Sequence, residues 1–322
     1  MESSDMRVLV SGASGQIGTR LVERLHLLGF EVACLTRDEA EVPGAIVRWF
    51  PWVWGSSRLM DLGLNDVGAV FHLAAQTSAY VARNAPSTDA REAVVGFVDL
   101  LEQLRSQQDP PFVVLAGAAT QVGALSGRIT EGHQLSPTTF YDVAKTSQEL
   151  YLRQFIAEEW VNGCTLRLSN VYGGEASHTS PHRGFVNRAV EEALDGKALH
   201  YFEGSEMLRD FVHVDDAVEA FLSVFRRRTA LRSSEFMVGT GIGTSIRSML
   251  EMVAASVSRN AGLGVEVLPV ETPSGIYPIE MRNVTVDHSL ITKETGWRPR
   301  ITLPAGVEAC VRQAIARRQP KS

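Results

Sequence analysis

The chain has few cysteines, no long apolar run and no basic excess, and each absence excludes a class of protein. Its three cysteines, Cys34, Cys164 and Cys310, are far apart and form no C-x-x-C pair, which favours reduced thiols over disulfides or a metal site. No stretch approaches the roughly 20 apolar residues that span a bilayer. The first residues, 1–5, lack signal-peptide character. We therefore expect a soluble cytoplasmic protein with no bound metal and no membrane partner.

Charge and composition are those of an ordinary globular protein. The formal net charge is -6, which gives no electrostatic reason to expect a nucleic-acid partner. Hydrophobic residues make up 44% of the 322 residues and charged residues 21%, so the chain can bury a sizeable core.

The first half alternates short apolar runs with segments of helical periodicity. Apolar runs separated by helices predict a parallel sheet covered on both faces, and right-handed crossovers make it doubly wound. The expected fold class is therefore α/β, of the Rossmann type. The predicted strands are Arg7–Val10, Glu31–Leu35, Ala69–Leu73, Phe112–Leu115 and Cys164–Leu168, and the predicted helices include Ile17–Leu28 and Ala90–Arg105.

The periodicity weakens after about residue 170. We expect residues 1–170 to form a dinucleotide-binding domain and residues 171–322 to form mainly a smaller substrate-binding lobe. A segment at about residues 208–240 is expected to return to the first domain.

A glycine-rich turn lies between the first predicted strand and helix. Three glycines at this place allow a tight turn, close approach of the backbone to a pyrophosphate, and phosphate binding at the helix N-terminus. A glycine-rich turn that binds nothing is the alternative, because such a triplet alone is weak evidence. The cofactor-binding candidates here are Gly12, Ser14, Gly15, Gln16, Ile17 and Gly18.

The end of the second strand bears on the choice between NAD and NADP. An acidic residue there binds the ribose 2′-hydroxyl, whereas an arginine accommodates a 2′-phosphate. The strand ends at Thr36 and Arg37, which favours NADP(H), although Asp38 follows immediately and leaves NAD(H) open.

A tyrosine and a lysine are spaced four residues apart on another predicted helix. The i, i+4 spacing places Tyr141 and Lys145 on one helix face, where an ammonium group would lower the tyrosine pKa for proton transfer. The pair is common on helices by chance, so its meaning depends on the motifs around it.

Together with the glycine turn, this pair resembles the short-chain dehydrogenase/reductase superfamily, in its extended, NAD-dependent epimerase/dehydratase branch. The similarity extends from about residue 7 to residue 316. Within the branch, residues 116–123 and 237–241 resemble nucleoside-diphosphate 4-keto-6-deoxyhexose 4-ketoreductases, which act in deoxysugar and antibiotic biosynthesis. The other matching segments are Phe71–Ala75, Leu166–Gly173, Arg209–Asp216 and Thr295–Pro299.

The resemblance implies that NADPH reduces a C4 ketone while Tyr141 donates a proton and Lys145 holds the nicotinamide ribose. The hydroxyl residue that usually contacts the reacting oxygen is replaced by Ala118. Thr120 is the candidate substitute, with a packing threonine as the alternative. Further cofactor contacts are implied at Asp61, Leu62, Leu73, Ala74 and Ala75, and substrate contacts at Asn170, Arg183, Arg209 and Arg282.

Several alternatives remain at this stage. A nucleotide-sugar 4-epimerase would retain a bound NAD, whereas a 4,6-dehydratase is disfavoured because Ala119 and Thr120 replace its acidic pair. A non-catalytic dinucleotide-binding protein is suggested by Ala118 and by Ala93, where relatives carry an asparagine. Arg209 could instead form an ion pair with a neighbouring carboxylate such as Asp210. Relatives also suggest a homodimer formed through the helix bearing Tyr141 and its neighbour.

Overall fold

The computed structural model describes residues 6–36, 47–52, 57–64, 66–174, 184–203, 207–231 and 234–319. The strands are β1 (Arg7–Ser11), β2 (Glu31–Thr36), β3 (Val47–Pro51), β4 (Val67–His72), β5 (Phe112–Ala118), β6 (Gly127–Ile129), β7 (Asn162–Leu168), β8 (Asn170–Tyr172), β9 (Leu199–Phe202), β10 (Leu208–His213), β11 (Glu235–Val238), β12 (Gly243–Ser245), β13 (Val267–Val270) and β14 (Val284–Val286). The helices are α1 (Gln16–Leu27), α2 (Ala79–Asn84), α3 (Pro86–Asp89), α4 (Gly96–Leu104), α5 (Phe140–Ala157), α6 (Phe185–Leu194), α7 (Val214–Arg226), α8 (Ile246–Ala261), α9 (Ser289–Thr295) and α10 (Leu303–Arg318).

A seven-stranded sheet organises the molecule. Its order is β11-β7-β5-β4-β1-β2-β3, and every neighbouring pair is parallel. The strand order reverses direction between β1 and β4, which is the switch point where ligands bind in doubly wound sheets. The predicted fold class is confirmed.

The alternation of side chains along β1 divides the core between the two faces of this sheet. Val8 and Val10 pack in one apolar cluster with Leu21 of α1, whereas Leu9 packs in a second cluster with Phe97 of α4. Burial on both faces explains why these strands are continuously apolar.

The structure differs from the sequence prediction at the segment expected to be a helix over Ala90–Arg105. A π-helical turn at Ala90–Val95 separates α3 from α4. At this turn the Gln148 side chain of α5 donates to the Ala93 carbonyl oxygen at 2.8 Å. A side chain that bonds a helix carbonyl is a recognised cause of such irregularity.

The remaining elements form smaller sheets and a third apolar cluster. Strands β12, β10 and β8 form one sheet, and the pairs β13-β9 and β14-β6 form two more. Helices α6, α8 and α10 pack together through Val190, Leu250 and Val311. Strand β11 lies in the large sheet although it follows residue 170, and the predicted domain division stays a prediction. None of the helices within the described ranges is long and apolar enough to cross a membrane.

Candidate active site

A cleft of about 550 Å³ lies at the carboxyl ends of the central parallel strands. It extends from the glycine-rich turn after β1, past the first turn of α5, to the arginines of β10 and of the segment before β14. Most of the residues singled out from the sequence line it: Gly12, Ser14, Gly15, Gln16, Ile17, Gly18, Leu73, Ala74, Ala75, Thr120, Tyr141, Lys145, Asn170, Arg209 and Arg282.

The glycines of the turn are required by close backbone packing. Gly12 has a φ of +69°, and an added Cβ would lie 2.7 Å from the Ala74 nitrogen. A Cβ on Gly18 would overlap the carbonyl oxygen of Gly12. Helix α1 follows directly and its N-cap, Gly15, has no side chain, so the first-turn N–H groups are open to an anion. This cradle fits a dinucleotide pyrophosphate.

The glycine turn is also tied to the second half of the chain. The Gln16 Nε2 donates to the carbonyl oxygen of Gly173 at 2.6 Å. This bond fixes the cofactor turn against the segment that leads from β8 into the substrate side of the cleft.

Two of the predicted cofactor contacts do not line the cleft. Asp61 is exposed and Leu62 packs in the second apolar cluster, so the structure places neither in the cleft lining. Trp52, just after β3, lines the cleft instead and is 3% exposed. The sequence analysis did not predict strand β3, although its adjacent aromatic residues Trp49 and Phe50 are typical of a strand. The expectations for Arg37, Asp38 and Arg183 fall outside the described residues.

Tyr141 and Lys145 lie on the first turns of α5, at the bottom of the cleft. The Lys145 Nζ donates to the Ala116 carbonyl oxygen at 2.7 Å. Burial lowers the pKa of Lys145 to about 8, and the carboxylate of Asp89 partly opposes this effect. The lysine therefore keeps its proton less firmly than an exposed one does.

The expected lowering of the Tyr141 pKa is not found. Burial raises the pKa of Tyr141, and the negative charges of Asp142 and Asp89 raise it further. The sequence-based argument was incomplete because it counted the ammonium of Lys145 but not burial or the nearby carboxyl groups. The phenol is consequently held in its protonated form.

Ala118 ends β5 and is only 6% exposed, and a methyl group cannot donate a hydrogen bond. Thr120 follows in a short 3-10 turn and lines the same cleft. Asp142, directly after Tyr141, also lines the cleft and is 1% exposed. Sequence reasoning missed Asp142, although a carboxylate inside the Tyr-x-x-x-Lys spacing is a visible signal.

A buried polar network fixes the turn that carries Thr120. The Gln121 Oε1 accepts from the Ala118 nitrogen at 2.7 Å, and its Nε2 donates to Glu149 at 3.0 Å. Glu149 in turn forms a two-point pair with Arg167, at 2.6 and 2.9 Å. These buried hydrogen bonds fix the backbone of the turn at Ala118.

Two arginines lie side by side on the substrate side of the cleft. Arg282 is 6% exposed and donates to the Gly123 carbonyl; burial and neighbouring Arg209 lower its pKa to about 10. Arg209 donates to the carbonyl oxygens of residues 208, 280 and 282. Adjacent guanidinium groups in a cleft are suited to a phosphate group.

Asp210 is not the carboxylate next to Arg209; the charge of Glu280 instead partly offsets the lowering of the Arg209 pKa by burial. The Asp210 carboxylate accepts hydrogen bonds from the backbone of Thr240, Gly241 and Val286 instead. The side chain of Asn170, on the neighbouring strand β8, donates to the Asp210 carbonyl oxygen at 3.0 Å. Asp210 therefore joins β10 to its neighbours and leaves Arg209 facing the cleft.

Comparison with known proteins agrees with this geometry. The model of the NAD dependent epimerase/dehydratase family matches residues 8–239. A UDP-glucose 4-epimerase of Mycolicibacterium smegmatis is 29% identical over 318 residues, covering 95% of this chain and 97% of the relative. A dTDP-4-dehydro-6-deoxyglucose reductase of Escherichia coli is 23% identical over 328 residues, covering 97% and 98%.

Solved structures give the same architecture. A UDP-glucuronic acid 4-epimerase from Bacillus cereus, in complex with UDP-glucuronic acid and NAD, superposes with a TM-score of 0.81 at 19% identity. The match covers 97% of this chain and 99% of that one. At this identity, the likeness concerns the fold.

Proposed function

Because the chain belongs to the NAD dependent epimerase/dehydratase family, we propose that it is an NADPH-dependent reductase. Its proposed substrate is a nucleotide-linked, dTDP-type 4-keto-6-deoxyhexose, reduced at C4 in deoxysugar biosynthesis. The sequence-based family assignment is confirmed, and the family comprises nucleotide-sugar epimerases, dehydratases and reductases.

The observation that carries the proposal is the continuity of the cleft. It joins a dinucleotide cradle at Gly12, a tyrosine and lysine at its bottom, and two arginines at its far end. A nucleotide sugar bound through its diphosphate at Arg209 and Arg282 would extend its sugar toward Tyr141. A reaction between a cofactor and a substrate requires that the two bound molecules are held close together in this way.

In the proposed reduction, the cofactor and the side chains of the site have separate roles. Bound NADPH supplies the hydride that adds to the ketone carbon. Tyr141, whose raised pKa keeps it protonated, donates its proton to the developing alkoxide oxygen. Lys145 binds the ribose hydroxyls of the cofactor and Thr120 gives a second hydrogen bond to the reacting oxygen.

The preference for NADPH is proposed from the end of β2. Thr36, which lines the cleft, carries no charge to repel a 2′-phosphate, and Arg37 is next in sequence. Asp38 is the residue that would favour NAD.

A 4-epimerase is the second candidate, favoured by the similarity to the Mycolicibacterium epimerase along nearly the whole chain. An epimerase oxidises and re-reduces the sugar on one retained NAD, whereas a reductase consumes free NADPH. The state of the cofactor in the purified protein therefore separates the two functions.

We would measure the loss of reduced-nicotinamide absorbance with a dTDP-4-keto-6-deoxyhexose, using NADPH and NADH in parallel. Substrate-dependent oxidation of NADPH, with little of NADH, supports the reductase and the role of Arg37. Stoichiometric NAD in the purified protein, together with interconversion of UDP-glucose and UDP-galactose, would establish the epimerase instead. If neither reaction occurs, the non-catalytic alternative stands.

Replacing the proton donor tests the mechanism directly. Tyr141→Phe should lower kcat by about 10²- to 10⁴-fold, the usual contribution of a positioned acid. Tyr201→Phe is the control, because it makes the same change on β9, outside the cleft lining. Equal turnover by wild-type protein and Tyr141→Phe would show that another group donates the proton.

We also propose a homodimer that forms through α5 and its neighbour. Phe140, Val143, Leu150 and Tyr151 are between 46% and 49% exposed. Their spacing places them along one outer face of the helix. Exposed apolar side chains along one helix face favour a protein contact.

A further inference from the structure

The two walls of the cleft touch each other at its rim. One wall runs from the loop after β4 into helix α2, and the other ends in the 3-10 turn Pro278–Met281. The Tyr80 hydroxyl of α2 donates to the Glu280 carboxylate at 2.6 Å. Ala79, directly before Tyr80, lines the cleft on one side, and Glu280 lines it on the other. The bond between Tyr80 and Glu280 therefore bridges the cleft.

Two ring contacts strengthen this bridge. The rings of Tyr80 and Tyr277 lie 5.5 Å apart between their centroids, with their planes inclined by 49°. The Arg83 guanidinium, one turn further along α2, lies 5.6 Å from the centroid of the Tyr277 ring. Aromatic pairs, and cations near aromatic rings, attract each other at such distances. We call Tyr80, Arg83, Tyr277 and Glu280 the clasp.

The clasp is connected to both sides of the cleft. The carbonyl oxygen of Glu280 accepts from Arg209, one of the two arginines on the substrate side. On the other wall, Ser78 caps α2 by accepting from the Val81 nitrogen at 3.3 Å. Ser78 follows residues 73–77, which line the cofactor side. Separation of the walls at the clasp would therefore widen the cleft between its cofactor and substrate sides.

The central bond of the clasp is exposed to water. Burial and the hydrogen bond to Glu280 raise the pKa of Tyr80 to about 12, so the phenol is protonated and donates at neutral pH. Tyr80 is nevertheless 45% exposed, so water can replace each partner when the bond breaks. Such a hydrogen bond contributes only a modest net free energy. The clasp can therefore open and close reversibly.

We propose that the clasp is a gate, which closes the cleft over the junction of its cofactor and substrate sides and opens to admit and release the nucleotide sugar. The inference rests on the proposed function only in that a nucleotide sugar binds in this cleft, and it applies to a reductase and an epimerase alike. Closure would exclude water from the reacting carbonyl group and hold the sugar beside the cofactor, as closing loops do in many enzymes.

A gate and a binding contact differ in their kinetics. Removing a side chain that binds the ligand changes the dissociation constant, mainly through the dissociation rate. A gate that opens equally often with and without ligand changes the association and dissociation rate constants by the same factor, and it leaves the dissociation constant unchanged. Measuring both rate constants therefore assigns Tyr80 and Glu280 to one role or the other.

Tyr80→Phe removes the hydrogen bond and keeps the ring that faces Tyr277. It should raise the association and dissociation rate constants of dTDP by about 2- to 10-fold each, the factor that corresponds to one net hydrogen bond. Trp52, which lines the cleft, supplies the fluorescence signal for stopped-flow measurement. Tyr201→Phe, on β9 and outside the cleft lining, is the control and should leave both constants unchanged. Unchanged rate constants in Tyr80→Phe, or a changed dissociation constant at an unchanged association rate, would overturn the gate.

Glu280→Ala removes the acceptor of the same bond. It should accelerate binding and release of dTDP as Tyr80→Phe does, and the double variant should be little faster than either single one, because both changes break one contact. Glu271→Ala, an exposed glutamate earlier in the same segment, is the control. Independent, multiplicative effects of the two changes would show that Tyr80 and Glu280 do not act through one bridge.

The opening of the cleft can also be measured without any ligand. The three native cysteines are buried, so a cysteine introduced in the cleft by Ala118→Cys should be the main target of a small maleimide in the folded protein. Adding Tyr80→Phe should accelerate this labelling by about the same factor as dTDP binding, and an unchanged labelling rate would overturn the gate. Thr120→Cys, at another position of the cleft lining, is the second reporter if Ala118→Cys does not fold. Faster labelling in a protein that binds neither dTDP nor UDP would overturn the proposed function, while the clasp would still control access to the cleft.

Discussion

At the scale of single residues, burial dominates the chemistry of the cleft. It lowers the pKa of Lys145 to about 8 and raises those of Tyr141 and Asp142. Each shift favours the neutral form, as desolvation does for acids and bases alike. The Tyr141 phenol therefore stays protonated, as the proposed reduction requires.

The lowered pKa of Lys145 makes stability depend on pH. In the unfolded chain the lysine keeps its proton up to about 10.5, so between pH 8 and 10.5 the unfolded state binds more protons. The free energy of unfolding of the cofactor-free protein should therefore gain up to about 1.4 kcal/mol per pH unit over this range from this group.

Lys145→Met should remove that contribution, as measured by urea denaturation at a series of pH values. Lys197→Met is the control, because Lys197 is exposed and pairs only at the surface with Asp195. Identical pH slopes for wild-type protein and Lys145→Met would contradict the pKa shift.

At the scale of elements, helix α5 connects the reaction site to the sheet. Its first turns carry Tyr141 and Lys145, and Glu149 lies one turn further, where it pairs with Arg167 of β7. Through Gln121 the same carboxylate holds the turn after β5. The helix thus fixes both donors proposed to contact the ketone oxygen.

Glu149→Leu should lower the free energy of unfolding by about 3–5 kcal/mol, because it removes the carboxylate to which the buried Arg167 is hydrogen-bonded. Glu192→Leu is the control. Its pair with Arg188 is exposed, and such pairs contribute about 0–1 kcal/mol. Similar losses in the two variants, measured by denaturant unfolding, would mean that the buried pair is not structurally important.

At the scale of the whole molecule, the outer face of α5 predicts association. Leu150→Glu should convert a dimer into a monomer in analytical ultracentrifugation, because it places a charge in the apolar face. Leu27→Glu is the matched control, since Leu27 is 78% exposed at the end of α1. A monomeric wild-type mass, or a Leu150→Glu dimer, would rule out this interface.

The sequence by itself determined the fold class and the glycine-rich turn of the cleft. Buried parallel strands are continuously apolar, and Gly12 and Gly18 stand where the backbone leaves no room for a Cβ. The Tyr141–Lys145 spacing likewise follows from helix geometry alone. Each of these features depends on one short segment, so the sequence of that segment is enough to predict it.

Only the tertiary structure decided which distant groups meet. Burial raises the Tyr141 pKa, against the expectation from spacing, and packing brings Thr120 and Asp142, from two separate segments, to the same cleft. Trp52, which directly follows the edge strand β3, lines the cleft, whereas Asp61 does not. These outcomes depend on packing between elements that are far apart in the chain, so local residue patterns do not predict them.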